Sequence, residues 1–464
     1  FLESSIMMMK LITLTCILVT IQGASLHVSD FDLEETIKFL QPLSQIPIDN
    51  SATFSHENNN NDSLVLTALG DDIVKEYGAY CLDKSSFGYY FRPSTNLSSS
   101  NKWVIYLEGG GLCIERKDCE TRVNKTDGSS INWEPYLTGT DNLVSSSKLN
   151  PFNDWNHIYL RYCSGDTWTG TNIDSPGRFG LWFSGHNQIE ATLHHLNLTQ
   201  NLYNNEETLE IMFAGASAGG IGVNNNCDYV ADTLLSGYDK AASTSITKAT
   251  STKPIIRCTP QSGMFFPPET TTLYEERLNI KLSMNKASSL YLTELYSSFL
   301  DESCVDYTKE IGDAEKFCWE ASYLTPHIET KLFIAQNFWD KFQLNYLLCY
   351  DSDVRRDKCT DKYMEEFKNH TLTQLYGLSG GTLTSTSVGV WAPSCVQHTG
   401  DTCLVPSVND GQSTLVQNVL YRDALTMWME DDENPPVLID DCIGFKSDSR
   451  PCNRLCSPGC NGDQ

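Results

Sequence analysis

Six short runs of β-branched and aromatic residues recur along this chain: Trp103–Leu107 (WVIYL), His157–Tyr162 (HIYLRY), Leu209–Phe213 (LEIMF), Pro254–Arg257 (PIIR), Lys331–Ala335 (KLFIA) and Val437–Ile439 (VLI). Each lies far enough from the next to hold a crossover helix, which parallel neighbours need and hairpins do not. The pattern predicts an α/β fold with a mostly parallel sheet, helices on both faces and loop insertions. An all-β arrangement needs turn signals about every 8–12 residues, and these are missing.

The start of the chain reads differently. Met7-Met8-Met9-Lys10, the apolar run Leu11 to Ile21 and then Gln22-Gly23-Ala24-Ser25 have the charged start, apolar core and small residues of a cleaved secretory signal. That run is too short to span a bilayer, and no later stretch approaches the roughly 18 uninterrupted apolar residues a membrane helix needs. Residues 1–24 are therefore expected to be upstream residues (Phe1 to Ile6) and signal, and residues 25–74, with the run Asn58 to Asn61, a loosely packed polar segment. Residues 75–464 are expected to form one catalytic domain ending in a Cys-rich tail, since no sustained linker and no internal repeat interrupts them. The tracts Ser243 to Thr252 and Ser379 to Gly389 read as surface loops.

Of the 17 cysteines, Cys16 lies in the expected signal, which leaves an even 16, consistent with full pairing after oxidising export. Cys113 and Cys119 are expected to form one local bridge. A zinc site is disfavoured, because Cys452, Cys456 and Cys460 sit in a Pro/Gly-rich tail without histidines at finger spacing. Five sequons, at Asn61, Asn96, Asn124, Asn197 and Asn369, would be surface loop sites if glycosylated. The net charge of −26 argues against nucleic acid or an anionic membrane as partner, since binding polyanions takes clustered Lys and Arg. It also repels a polyanionic substrate at long range, although salt screens this beyond about 8 Å.

The sharpest chemical signal is Gly215-Ala216-Ser217-Ala218-Gly219, directly after LEIMF and before the small-residue stretch Gly220-Ile221-Gly222. In strand–turn–helix context this pattern is a nucleophile elbow, where glycines allow a sharp turn that lifts the serine hydroxyl clear of an α/β-hydrolase-like sheet. A serine needs a base, and on this fold the partners follow in the order Ser, acid, His. Three histidines come later. His370 lies in a charged, helix-like stretch and reads as surface, His327 has an equally good structural reading, and His398 sits on a loop supported by Cys395. For the acid, Asp340 follows KLFIA by a short loop and so lies beyond a strand's carboxyl end, where sites gather. Asp228, Asp301 and Asp351/Asp353/Asp357 are its competitors. The run Glu108-Gly109-Gly110-Gly111-Leu112-Cys113 after WVIYL offers backbone N–H donors for an oxyanion. Gly110 and Gly111, with the Ala218 N–H, are the choice. A phosphate loop is disfavoured, because no Lys-Ser/Thr or G-x-G-x-x-G continuation follows.

Together, LEGGGLC, Arg161-Tyr162-Cys163-Ser164-Gly165-Asp166 with Trp168, AGASAGG, Gln336-Asn337-Phe338-Trp339-Asp340 and APSCVQH resemble the pectin acetylesterase/Notum family of carboxylic ester hydrolases, over roughly residues 75–460. The resemblance implies Ser217 as nucleophile, Asp340 as acid and His398 as base, with Gly110, Gly111 and Ala218 donating to the oxyanion and no cofactor or metal required. It implies a secreted deacylase acting on an O-acylated protein or an acetylated polysaccharide. YCSGDTWTG and APSCVQH resemble the Notum branch, which removes palmitoleate from a protein serine. Three consecutive glycines and Asp340-Lys341-Phe342-Gln343 resemble the plant pectin acetylesterases. The expectation leans to the Notum-like palmitoleoyl-protein carboxylesterase, with a polysaccharide O-acetylesterase as the alternative. An inactive secreted binding protein on the same fold is the non-enzymatic one.

Overall fold

In the computed structural model, six of the apolar runs become strands, because each can bury both faces between neighbours and covering helices. The structure describes residues 63–138, 140, 142–173, 176–202, 208–244, 253–265, 292–313, 315–346, 361–379, 387–399 and 414–440, all within the compact unit Asp62–Gln464. The expected signal, the Asn58–Asn61 run with its sequon, Asp351/Asp353/Asp357 and the Cys-rich tail lie outside the described residues.

Strands β1 (Leu64–Ala68), β2 (Gly88–Arg92), β3 (Lys102–Leu107), β4 (Tyr136–Leu137), β5 (Asn156–Leu160), β6 (Glu210–Ala216), β7 (Ile255–Gln261), β8 (Lys331–Ala335), β10 (Val388–Ala392) and β14 (Val437–Ile439) make one ten-stranded sheet. Its order is β14-β10-β8-β7-β6-β3-β5-β2-β1-β4. The seven strands from β14 to β5 run parallel, and β2, β1 and β4 add antiparallel at one edge. Two two-residue strands, β9 (Trp339–Asp340) and β11 (Val396–Gln397), pair with each other, as do β12 (Leu415–Val416) and β13 (Val419–Leu420). The helices are α1 (Asp71–Tyr77), α2 (Arg116–Arg122), α3 (Gly185–Gln200), α4 (Ala218–Thr244), α5 (Glu302–Glu310), α6 (Ala321–Leu324), α7 (Lys341–Tyr346), α8 (Asp361–Ser379) and α9 (Tyr421–Glu430).

Three expectations need correction. Residues 64–74, assigned by composition to a loose polar segment, contribute β1 and most of α1. Leu64, Leu69 and Val74 are buried in the main core, so a few well-placed apolar residues outweigh the polar ones around them. The tract Ser379 to Gly389 is not all loop, since β10 begins at Val388 and is buried throughout. Its glycine hid it: a Cβ on Gly389 would stand 2.3 Å from Phe333 of β8, so the neighbouring ring takes the space a β-branched residue would have filled. Likewise Ser243 and Thr244 close helix α4. Two of the sequons also lie on helices rather than loops, Asn197 on α3 and Asn369 on α8, while Asn96 and Asn124 are exposed beside short turns.

The described cysteines are all disulfide-bonded. Cys81–Cys163, Cys113–Cys119, Cys227–Cys258 and Cys304–Cys318 are the pairs within the described residues. The first closes 82 residues of sequence, a loop whose cross-linking removes about 4–5 kcal/mol of unfolded-chain entropy.

Candidate active site

The carboxyl ends of β3, β6, β8 and β10 converge on one point above the centre of the sheet. β6 ends at Ala216 and α4 begins at Ala218, which leaves Ser217 alone to turn the chain. Its φ of +56° is a left-handed conformation that costs a non-glycine residue about 1–2 kcal/mol. Two backbone bonds hold it there: Ser217 N–H donates to Gln261 O at 2.9 Å, and Ile221 N–H donates to Ser217 O at 3.0 Å. The flanking glycines are required by contact. A Cβ on Gly215 would meet Gly219 O at 2.6 Å, and one on Gly219 would meet Leu107 O at 2.1 Å.

The histidine and the acid reach this serine through a two-residue parallel ladder. β9 follows β8 and β11 follows β10, and they pair with Gln397 opposite Asp340. His398 comes next. Its Nδ1 lies 2.7 Å from Asp340 Oδ2 and its Nε2 lies 2.8 Å from Ser217 Oγ. Asp340 is fully buried, and its other oxygen accepts from the Gln343 N–H at 2.9 Å in the first turn of α7. The loop beyond is anchored on both sides. Ser394 Oγ donates to Asp440 at 2.7 Å, Cys395 is disulfide-bonded, and the Thr399 N–H donates to Ser262 Oγ at 3.1 Å. The rings of Phe342 and Phe265 lie nearly parallel to the imidazole, with centroids 5.2 and 6.1 Å away.

The glycine run after β3 closes the other side. Gly109 packs on the elbow so tightly that a Cβ would stand 2.8 Å from Ala216 O and 3.1 Å from Ser217 Cβ. Gly110 and Gly111 have φ of +148° and +70°, and a Cβ on Gly110 would lie 2.6 Å from the Tyr162 ring. Tyr162 is fixed in turn, because its N–H donates to Glu108 Oε2 at 2.8 Å. Burial raises the pKa of Glu108 above the usual carboxylate value, with the Tyr162 N–H opposing. The Cys113–Cys119 bridge ties the end of the loop to α2, as expected from the sequence. Ala218 opens α4, where first-turn N–H groups have no intrahelical acceptor and carry the positive end of the helix dipole.

Ser217, Asp340, His398, Gly110, Gly111 and Ala218 are thus brought together. Their described competitors lie elsewhere. His327 and Asp301 sit before β8 and at the start of α5, near the amino-terminal strand ends. Asp228 accepts from the backbone N–H groups of Glu329 and Thr330 at 2.8 and 2.9 Å, a structural role. His370 is part of α8. Sequence reading missed Gln261, Ser262, Phe265, Phe342 and Arg122. None carries a local signal, since each meets the site only through strand order or helix docking.

A geometry of this kind invites comparison with known proteins. Residues 58–457 match the family model described as pectinacetylesterase. A palmitoleoyl-protein carboxylesterase NOTUM of Schmidtea mediterranea is 39% identical over 32% of the chain, a match that spans 28% of that relative. Pectin acetylesterase 5 of Arabidopsis thaliana is 25% identical over 83% of each chain. Palmitoleoyl-protein carboxylesterase notum2 of Xenopus laevis is 27% identical over 78% of the chain and 68% of the relative. Among solved structures, the Wnt deacylase Notum from Drosophila aligns with a TM-score of 0.66, covering 85% of this chain and 99% of that one, with 23% identity. That last likeness is one of fold.

Proposed function

The chain belongs to the pectinacetylesterase family of ester hydrolases, and from that premise we propose that it is a serine carboxylesterase whose working parts are Ser217, His398 and Asp340. The observation that carries this reading is the unbroken line of hydrogen bonds from Asp340 Oδ2 through the imidazole to Ser217 Oγ, at 2.7 and 2.8 Å. His398 Nε2 takes the hydroxyl proton as Ser217 Oγ attacks the ester carbonyl, and Asp340 holds Nδ1–H so that the basic nitrogen faces the serine. The N–H groups of Gly110, Gly111 and Ala218 receive the charge that develops on the carbonyl oxygen. His398 then gives the proton to the leaving alcohol. Water repeats the cycle on the acyl-enzyme, and no cofactor takes part.

The substrate on this reading is an O-acyl group longer than acetyl, carried on a protein in the manner of the palmitoleoyl-protein carboxylesterases. Support comes from an apolar cluster along the site that joins Leu112 after the glycines, Ile221 one turn beyond Ser217, and Phe265 and Phe342 against His398. Each methylene buried on such a wall contributes about 0.8 kcal/mol. One observation favours a polysaccharide O-acetylesterase instead: Gly111 puts no apolar side chain at the loop's end, where the nearest group is the polar guanidinium of Arg122. Paired cysteines support action outside the cytosol in either case. A chain-length series of p-nitrophenyl esters tests the choice. A kcat/KM rising from C2 to C8 supports the long-chain deacylase, whereas a maximum at C2 with acetate released from acetylated pectin or xylan overturns it. Absence of Ser217 labelling by a fluorophosphonate would remove the esterase reading altogether.

A further inference from the structure

We infer that Arg122 is a positioning residue for the oxyanion donors, an inference that rests on the ester-hydrolase reading of Ser217. Arg122 ends α2, twelve residues after Gly110, and its Nη1 donates to the Gly110 carbonyl oxygen at 2.8 Å. In a trans peptide the carbonyl and the following N–H point in opposite directions, so this bond sets the direction of the Gly111 N–H. The peptide needs such a hold. It is flanked by two glycines, both at positive φ, and glycine backbones rotate more freely than any other. The guanidinium also closes the space beside Gly111, whose Cβ position lies 3.3 Å from Arg122 Nη2. A charged donor on the carbonyl polarises the peptide and makes the attached N–H a stronger donor, as in any hydrogen-bonded chain.

Arg122 is itself well placed for this. Its Nη1 lies 3.2 Å from Asp127 Oδ2, and its side chain is largely buried. The Cys113–Cys119 bridge fastens α2 to the far end of the same loop. Gly128 packs so closely on the Arg122 backbone that a Cβ there would stand 2.4 Å from its carbonyl carbon. The buried Nε has no acceptor among the described residues, so the guanidinium is placed for Gly110 and Asp127 rather than for its own full pairing. The glycine loop is therefore gripped twice, by Tyr162 against Gly110 and by Arg122 on the Gly110–Gly111 peptide.

The experiment compares the full chain with Arg122→Ala, Arg122→Lys and, as a charge-matched control on the same helix, the exposed Arg116→Ala. Turnover of p-nitrophenyl butyrate is measured beside the affinity of a trifluoromethyl ketone, which forms an oxyanion on Ser217. Losing a direct oxyanion donor costs roughly 10²–10³ in kcat, so losing the group that aims one is expected to cost about 10–100-fold. KM should stay within about twofold, and the ketone should weaken in proportion to kcat/KM. Arg122→Lys should recover part of kcat, and Arg116→Ala should match the parent. A kcat in Arg122→Ala near that of the parent, or a loss of kcat with ketone affinity unchanged, overturns the inference. Should Arg122→Ala fail to fold, parental kcat in Arg122→Lys does the same, because lysine keeps the charge without the planar fork. If the parent itself neither turns over esters nor labels at Ser217, the esterase reading falls, which is a different result from a parent that works and an Arg122 variant that works equally well.

Discussion

Gln397 faces Asp340 across the parallel ladder of β9 and β11, and the next residue, His398, therefore meets the Asp340 carboxylate at 2.7 Å. Two strands of two residues each do what fifty-eight residues of separation in sequence conceal. The ladder also ties two strand ends of the main sheet together, since β9 continues from β8 and β11 from β10.

Residues that act as one unit lose activity as one unit. Ser217→Ala and His398→Ala are each expected to lower kcat by about 10⁵–10⁶, and the double variant by no more than either alone. A double-variant cycle on an activated ester measures this. Multiplying losses would show that the two side chains act separately.

Asp340→Asn keeps the shape of the acid but cannot hold Nδ1–H, so it favours the wrong imidazole tautomer. A fall in kcat of about 10⁴ is expected, with little change in KM. Because the same side chain accepts from the Gln343 N–H, thermal melting should fall as well. Near-parental turnover would mean that another group orients His398.

Gly110→Ala introduces a Cβ 2.6 Å from the Tyr162 ring at a φ that L side chains rarely adopt. The loop must shift, and a kcat loss of about 10²–10³ is expected, the size of a lost oxyanion donor. Far-ultraviolet circular dichroism should be unchanged, because the loop lies outside the sheet. An unchanged kcat would place the oxyanion donors elsewhere.

Two buried imidazoles make the fold acid-sensitive. Burial pushes His157 down to about 3, helped by the charge of Arg92, and burial pushes His186 down to about 4 from an ordinary value of 6.5. His186 bonds Asn226 at 2.7 Å and stacks on Phe299. In the fold both stay neutral where the unfolded chain takes up protons, so the unfolded state binds more protons below pH 6.5. Stability from these sites is complete above that value and falls as pH drops toward 4, by up to about 1.4 kcal/mol per pH unit for each. Calorimetry from pH 7.5 to 4.5 should show the melting temperature falling, with a shallower slope in His186→Gln. A flat profile would contradict the assignment.

Much of this molecule is written locally. LEIMF followed by GASAG needs no partner to be read as a strand and a sharp turn, because the apolar run and the glycines act within a few residues of each other. KLFIA and VLI coincide with β8 and β14 residue for residue. By contrast, β10 carries Gly389 because Phe333 of another strand fills the space above it, and no local pattern reports that. Among His327, His370 and His398, all of which follow the serine, the residues alone favour His398 only through its Cys395-supported loop. Family resemblance pointed to His398, but only the docking of β11 on β9 physically brings it to Asp340. Arg122 lies furthest from any sequence signal. It meets Gly110 because α2 folds back along the loop that precedes it, a contact made by chain geometry and a disulfide rather than by composition. The sequence by itself determined the parallel sheet, the turn that presents Ser217 and the glycines beside it, all set by short-range sterics and burial. Tertiary structure alone brings the His398 imidazole to Asp340 and Ser217 and the Arg122 guanidinium to Gly110, because those contacts depend on strand order and on the close packing of segments far apart in the chain.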